Sequence, residues 1–240
     1  MVDKQYLAGK TGEELKELVA QYGMPRFTAS QIAAWLYRNR VKNINQMTNL
    51  SKINREKLSA EDGTVKYLFA AGENFIETVY IPDRERATLC VSSQVGCKMN
   101  CYFCMTGKQG FKKNLTATEI INQIVSIPEF EKLTNIVFMG MGEPLDNTDE
   151  VLKALDIITS ENGFAWSPRR ITLSTIGITP SLRRFLDESQ CHLAISLHHP
   201  FAEGRQELMP IQKAFPISQT IELLRQYDFS HQRRLSFEYI

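Results

Sequence analysis

Nowhere in the 240 residues does an apolar run approach the ~18 residues that a membrane-spanning helix needs, so a bilayer-embedded chain is not expected. An excess of one charge is missing too: 28 basic residues face 27 acidic ones, a net +1, which removes an extreme-charge tail from consideration. Glycine and proline are sparse at 13 and 9, and no segment repeats, so collagen-like repetition and low-complexity disorder are ruled out. The opening Met1-Val2-Asp3-Lys4-Gln5 has no apolar core of a secretory signal, which makes a cytoplasmic location the expectation. There is no even set of cysteines for a disulfide framework. Three of the five lie within eight residues, which suits metal binding or redox chemistry in a reducing compartment. What remains, 43% hydrophobic and 23% charged, describes a soluble chain of one or two domains with a core of real size.

The neutral total conceals an uneven distribution. Between residues 24 and 60, Arg26, Arg38, Arg40, Lys42, Lys52, Arg55 and Lys57 oppose only Glu56, a local excess of six positive charges. Such a stretch suits phosphate contacts, or is simply a solvated basic helix face. The same region reads as short helices. Thr11-Gly-Glu-Glu14 has capping-box form ahead of Leu15, Leu18, Val19 and Tyr22; Thr28-Ala-Ser-Gln31 repeats the signal, and a weaker basic helix starts at Ser51. The runs Val65–Ala70 and Phe75–Ile81, split by Gly72-Glu73-Asn74, predict a hairpin. From about residue 85 strands alternate with helices: strands at Thr88–Ser92, Asn135–Gly140, Arg170–Thr175, His192–Leu197 and Arg234–Ile240, helices at 117–127, 149–161, 180–188 and 218–228, with caps at Thr116, Thr179 and Ser218. Apolar strands joined by helical crossovers predict a parallel sheet or barrel covered by helices, TIM-type or doubly wound.

The strongest chemical signal is Cys97-Lys-Met-Asn-Cys101-Tyr-Phe-Cys104, just after the first strand of the alternating region. Three thiolates leave one position of a four-ligand site free, and a 4Fe-4S cluster held by three cysteines keeps one iron open for a substrate or cofactor. The same residues also admit a zinc site completed by Cys191 or His192, or three merely buried thiols. Met139-Gly140-Met141-Gly142-Glu143-Pro144 ends the next strand; its glycines permit close backbone approach to a ligand, and its carboxylate can accept bonds from an ammonium or hydroxyl group. Ser174-Thr175 and Ser196-Leu197-His198 end the following two strands, although Ser174 and His198, each taken alone, read better as a satisfied strand-end hydroxyl or imidazole. In a parallel α/β fold all of these fall on one rim, the one that carries function.

Together with Glu77-Thr-Val-Tyr-Ile-Pro82, Ala87-Thr-Leu-Cys-Val-Ser-Ser-Gln-Val-Gly-Cys97, Thr106-Gly-Lys-Gln-Gly-Phe111, Asn114-Leu115, Leu173-Ser-Thr and Ala194-Ile-Ser-Leu-His198, these motifs resemble the RlmN-type dual-specificity RNA methyltransferases of the radical S-adenosylmethionine (SAM) class. The resemblance covers nearly the whole chain. It implies a partial TIM-type β/α barrel over residues 76–240, preceded by a helical accessory domain over 1–75 that binds RNA, with the hairpin between. It implies a 4Fe-4S cluster on Cys97, Cys101 and Cys104, SAM contacts from Gly142, Glu143, Ser174, Ser196, Leu197 and His198, and Glu77 as proton acceptor. Read from position alone, Glu77 would be a solvent-facing strand residue, and Cys90 and Cys191 small hydrophobes in or beside strands. The implied reaction methylates carbon 2 of an adenosine in 23S rRNA and tRNA, uses two SAM molecules and a methylated cysteine, and takes electrons from a donor such as flavodoxin; a monomer without membrane association is expected.

Two alternatives stay open. Ile176-Gly177-Ile178 and His199-Pro200-Phe201 look as much like the related Cfr enzymes, which act on carbon 8, and a non-enzymatic zinc and RNA-binding module would also use the basic stretch. The family's methyl-carrying cysteine, in a Cys-Gly-Gln-Leu context near the C-terminus, has no counterpart here, nor has its late SAM-contacting asparagine. With only residues 76–240 for the barrel, against ~250 for a full eight-stranded one, a barrel incomplete at its C-terminus and a chain without turnover by itself are expected.

Overall fold

In the computed structural model, residue 7 and residues 11–38, 63–231 and 233–240 are described. The chain divides into two compact units, Met1–Val65 and Lys66–Ile240. In the first, helix α1 (Gly12–Gln21) starts with the predicted capping box: the Thr11 hydroxyl accepts the Glu14 N–H, and the Glu14 carboxylate accepts the Thr11 N–H. Its buried Leu15, Leu18 and Val19 pack with Met24, Ala29 and Ile32. Helix α2 (Thr28–Ala33) runs on into a π-helical turn, Ala34–Arg38. Thr28 is not its cap. Phe27 holds that position without a side-chain bond, and Thr28 is buried in the first turn beside Ala29. The basic helix expected from Ser51, with Arg40, Lys42, Lys52, Arg55 and Lys57, lies outside the described residues.

The second unit is built on a seven-stranded sheet. Strands β1 (Val65–Ala71) and β2 (Asn74–Asp83) flank a two-residue turn, the predicted hairpin. Strand β3 (Arg86–Cys90) pairs antiparallel with β2. A short antiparallel pair, β4 (Gln94–Val95) with β5 (Lys113–Asn114), stands apart from the main sheet. The strands β6 (Asn135–Phe138), β7 (Ile171–Thr175), β8 (His192–Ser196) and β9 (Leu235–Glu238) then follow β3, all parallel, and the order across the sheet is β1-β2-β3-β6-β7-β8-β9. The order follows the chain without reversal. Crossovers of one hand then place every connecting helix on the same face, the singly wound arrangement of a TIM-type barrel and not the doubly wound one.

Those crossovers carry α3 (Met105–Lys108), α4 (Ala117–Val125), α5 (Thr148–Thr159), α6 (Thr179–Glu188), α7 (Ala202–Leu208) and α8 (Ile217–Leu224). Thr116 caps α4 with Glu119 as predicted, whereas α6 and α8 begin one residue earlier than expected, so Thr179 and Ser218 lie inside their first turns and cap nothing. On the helix-covered face Leu89, Ile136, Phe138, Ile171, Leu173, Leu193 and Ile195 are buried, with Ile120, Ile124, Val151, Leu155, Leu182 and Phe185 from the helices. The alternate residues Cys90, Val137, Thr172 and Ser174 occupy the other, inner face and are only half-buried. Among the described residues no helix is long and apolar enough to cross a membrane.

Candidate functional site

The chain leaves β3 at Val91 and makes a long excursion, residues 96–112, closed at its base by the β4–β5 pair. Gly96 sits at the closure with φ +76°, and a Cβ there would lie 1.7 Å from the Gly110 carbonyl oxygen, so only glycine fits. The excursion carries Cys97, Cys101 and Cys104. Its tip is tied to the end of α7 by the Tyr102 N–H, which donates to the Leu208 carbonyl at 2.8 Å.

Cys97 and Cys101 are buried and Cys104 half-buried. Burial pushes the Cys97 thiol up to about 11 and that of Cys101 to about 12; the neighbouring cysteines and Glu143 add to both shifts, while Arg205 opposes that of Cys101. The three sulfurs thus share one electrostatic neighbourhood. No group of three His, Cys, Asp or Glu side chains among the described residues stands ready-made to hold a metal ion. The donor set nonetheless fits an iron–sulfur cluster: three soft thiols on one loop, beside two buried polar atoms with no hydrogen-bond partner, His198 Nδ1 and Arg205 Nε.

Gly142 follows β6 with φ +100°, and its backbone is sewn to the base of the cysteine excursion. The Ser93 and Gln94 N–H groups both donate to the Met141 carbonyl, at 2.9 and 3.1 Å, and the Glu143 N–H donates to Gln94 Oε1 at 2.9 Å. Gln94 Nε2 in turn donates to Asn114 and to Asp146, whose carboxylate also holds Lys98 at 2.9 Å. The Glu143 carboxylate does not face the inner cavity. It is 4% exposed and accepts the Thr175 hydroxyl at 2.5 Å and the Ile176 and Leu145 N–H groups at 3.0 Å each. Met141 spends its carbonyl on Ser93 and Gln94 and its N–H on Ser92, so the backbone of Gly142 is what this segment can offer a ligand.

Burial raises the Glu143 carboxyl from 4.5 to about 7, against the opposing pull of its three donors. A folded value above the unfolded one means that the protonated form favours folding. The contribution is complete below about pH 4.5 and is lost as the pH rises through 7. Wild-type stability should accordingly fall by up to about 3 kcal/mol between about pH 5 and pH 8 from this group, and Glu143→Gln should flatten that decline in urea unfolding measured across the range.

Ser174 and Ser196 sit on adjacent strands, and both hydroxyls donate to Glu238 Oε2, at 2.7 and 3.1 Å. The Glu238 carbonyl accepts the Leu197 and His198 N–H groups at 3.1 and 3.0 Å, so one residue of β9 organises both sequence-predicted strand ends. His198 is held at φ +54°, a region unusual for a residue with a Cβ. Its ring meets Phe103 of the cysteine excursion edge-on at 4.9 Å, and burial lowers its pKa. The excursion, the Gly142 segment and the Ser174, Ser196 and His198 strand ends therefore meet on one rim.

Glu77 reaches the same rim from β2. Its neighbour Thr78 faces the helix layer, donating to Gln123 of α4 at 2.6 Å, so Glu77 lies on the inner face, exposed and paired with Lys66 at 2.8 Å. Ser92 joins it to the glycine segment: the hydroxyl donates to the Glu77 carbonyl at 2.6 Å and accepts the Met141 N–H at 2.9 Å. Cys90 also lies on the inner face, opposite Val79 and Val137, and is not a core residue, whereas Cys191 is fully buried at the amino end of β8. Sequence reasoning missed Glu238, Gln123 and Arg205, and gave Gln94, although it lies within the quoted Ala87–Cys97 run, no role. Each acts through partners distant in sequence.

Comparison with known proteins agrees with this geometry. Residues 91–237 match the radical SAM superfamily, and residues 6–62 match the ribosomal RNA large subunit methyltransferase N-terminal domain. A probable dual-specificity RNA methyltransferase RlmN of Bacteroides thetaiotaomicron is 61% identical over all of this chain and 74% of its own length. Its counterpart in Parabacteroides distasonis is 57% identical over all of this chain and 75% of its length, and that of Desulfotalea psychrophila is 40% identical over 99% and 74%. Among solved structures, a radical SAM methyltransferase from Sphaerobacter thermophilus superposes with a TM-score of 0.71 at 38% identity, covering 96% of this chain and 74% of that one. With cysteine excursion, glycine segment and serine strand ends on one rim of a parallel sheet, and with these matches across its length, the chain belongs to the RlmN-type radical SAM RNA methyltransferases.

Proposed function

We propose that the protein serves the methylation of carbon 2 of an adenosine in 23S rRNA and in tRNA, a reaction that draws on two SAM molecules and a methylated cysteine, with electrons from a flavodoxin-like donor. The observation that carries the reading is the 61% identity to a relative named as a dual-specificity RNA methyltransferase. In this reading Cys97, Cys101 and Cys104 hold a 4Fe-4S cluster. Held there, the cluster would supply a binding point for SAM and the electron for its reductive cleavage to methionine and a 5′-deoxyadenosyl radical.

The chain's own residues would do the rest. The Gly142 carbonyl would be offered to the SAM ammonium, and Ser174, Ser196, Leu197 and His198 would line the cradle for its remainder. Glu77 is an exposed carboxylate on the inner face, paired with Lys66 at 2.8 Å, and is placed to take the proton that leaves the adenine ring. The first 75 residues would form the accessory domain that binds RNA, in keeping with the family match over residues 6–62 and the local positive excess. The target base must be unstacked to reach the rim. A cytoplasmic, monomeric protein suits this role.

No cysteine of the 240 residues stands in the Cys-Gly-Gln-Leu context of the family's methyl carrier. Reconstituted anaerobically and given SAM, reductant and RNA, the chain should therefore release 5′-deoxyadenosine without forming 2-methyladenosine, as read by mass spectrometry of digested nucleosides. Appearance of 2-methyladenosine would mean that another cysteine carries the methyl group, and 8-methyladenosine would favour the Cfr-like alternative.

A further inference from the structure

Arg205 heads the largest fully buried side chains among the described residues, with no exposed surface. It lies on α7, a short polar helix with no other buried residue. Its Nη1 donates to Gln212 Oε1 at 2.5 Å. Its Nη2 donates to the Ile176 and Ser196 carbonyls, at 2.8 and 2.9 Å, thereby bridging the carboxyl ends of β7 and β8. Nε has no partner, and no carboxylate pairs with the guanidinium among the described residues.

A buried cation supported only by neutral acceptors is costly, and such groups persist where an anion completes them. Arg205 interacts electrostatically with Cys101, and the helix that carries it receives the Tyr102 N–H through Leu208, one residue from that cysteine. The helix that carries the charge is therefore tied directly to the loop that carries the three cysteines.

We infer that Arg205 is a positioning residue of the cluster site: it ties α7, and through it the cysteine excursion, to the ends of β7 and β8 and supplies the positive charge that the thiolate-held cluster requires. The inference rests on the radical SAM reading above and adds the electrostatic partner of the cluster. Net charge and nearby donors set the potential of such clusters, so removing the cation should make the cluster harder to reduce.

The test uses the full chain, reconstituted anaerobically, in three variants: Arg205→Gln, which keeps an N–H donor for the strand-end carbonyls but no charge; Arg205→Lys, which keeps the charge; and Arg233→Gln. Arg233 is a second buried arginine with an unpartnered Nε, interacting with Cys191 and bonded to Leu186 at the opposite end of the strands, and it controls for the loss of a buried guanidinium as such. The readouts are iron per chain and cluster midpoint potential. Arg205→Gln should lose iron or, where loaded, show a potential shifted to more negative values, while Arg205→Lys and Arg233→Gln stay near wild type. A loaded Arg205→Gln at the wild-type potential, or an Arg205→Lys shifted as far as Arg205→Gln, would overturn the inference. A wild-type chain that takes up no iron would instead defeat the radical SAM reading itself.

Discussion

Cys101→Ala should reduce the iron retained after anaerobic reconstitution from ~4 atoms per chain to near background, and should remove the visible iron–sulfur absorbance with it. In the proposed site three protein thiolates would serve four irons, with no spare ligand. Loss of one would leave two thiolates to hold the cluster. The fold should survive, because a Cys-to-Ala change deletes one buried sulfur and costs on the order of 1 kcal/mol. Cys90→Ala and Cys191→Ala are the matched controls. Cys191 is buried at the amino end of β8 and Cys90 lies on the inner face of β3, both outside the excursion, and both variants should load iron as the wild type does. An unchanged iron content in Cys101→Ala would remove this cysteine from the ligand set.

Gly142→Ala should damage both the fold and the proposed SAM cradle. The residue holds φ +100°, and a Cβ there would lie 2.5 Å from Gln94 Cβ and 2.8 Å from the Gln94 backbone nitrogen. Strain at positive φ costs about 1–2 kcal/mol and overlap with backbone about 1–3 kcal/mol, so a total of about 2–5 kcal/mol is expected in urea unfolding. The relief route is movement of the glycine segment away from Gln94. That would break the Glu143 N–H bond to Gln94 and displace the backbone proposed to receive the SAM ammonium, so SAM binding by equilibrium dialysis should weaken by about tenfold or more, some 1.4 kcal/mol. Stability within ~0.5 kcal/mol of wild type would show that the segment is not held as described.

The parts of this architecture that announce themselves in sequence do so through local periodicity or spacing. The parallel strands were legible because alternate apolar residues such as Leu89, Ile136, Phe138, Leu173 and Leu193 are buried under helices with matching apolar stripes. The cysteine run and the glycine segment were legible because their chemistry is compressed into a few adjacent residues. Helix α7 was not, since Ala-Glu-Gly-Arg-Gln-Glu-Leu shows no apolar stripe and its one buried residue is an arginine. Glu238 looked like an ordinary strand residue; its partners Ser174 and Ser196 are 64 and 42 residues away, and only the register of β7, β8 and β9 brings them together. The predicted role of the Glu143 side chain as a ligand contact met a similar limit, because Thr175 and Ile176, on the following strand and its exit, already occupy its carboxylate. Caps at Thr28, Thr179 and Ser218 failed for a local reason: hydroxyl residues favour first-turn positions as well as the cap itself, and a one-residue shift removes the cap bond.

The central claim is that three cysteines of one excursion hold a cluster whose open iron engages SAM. It is tested most directly by electron paramagnetic resonance of the dithionite-reduced, reconstituted chain with and without SAM, alongside metal analysis. The account predicts ~4 irons per chain and a reduced-cluster spectrum that changes when SAM is added. Stoichiometric zinc without iron after anaerobic purification, or a cluster spectrum indifferent to SAM, would contradict it.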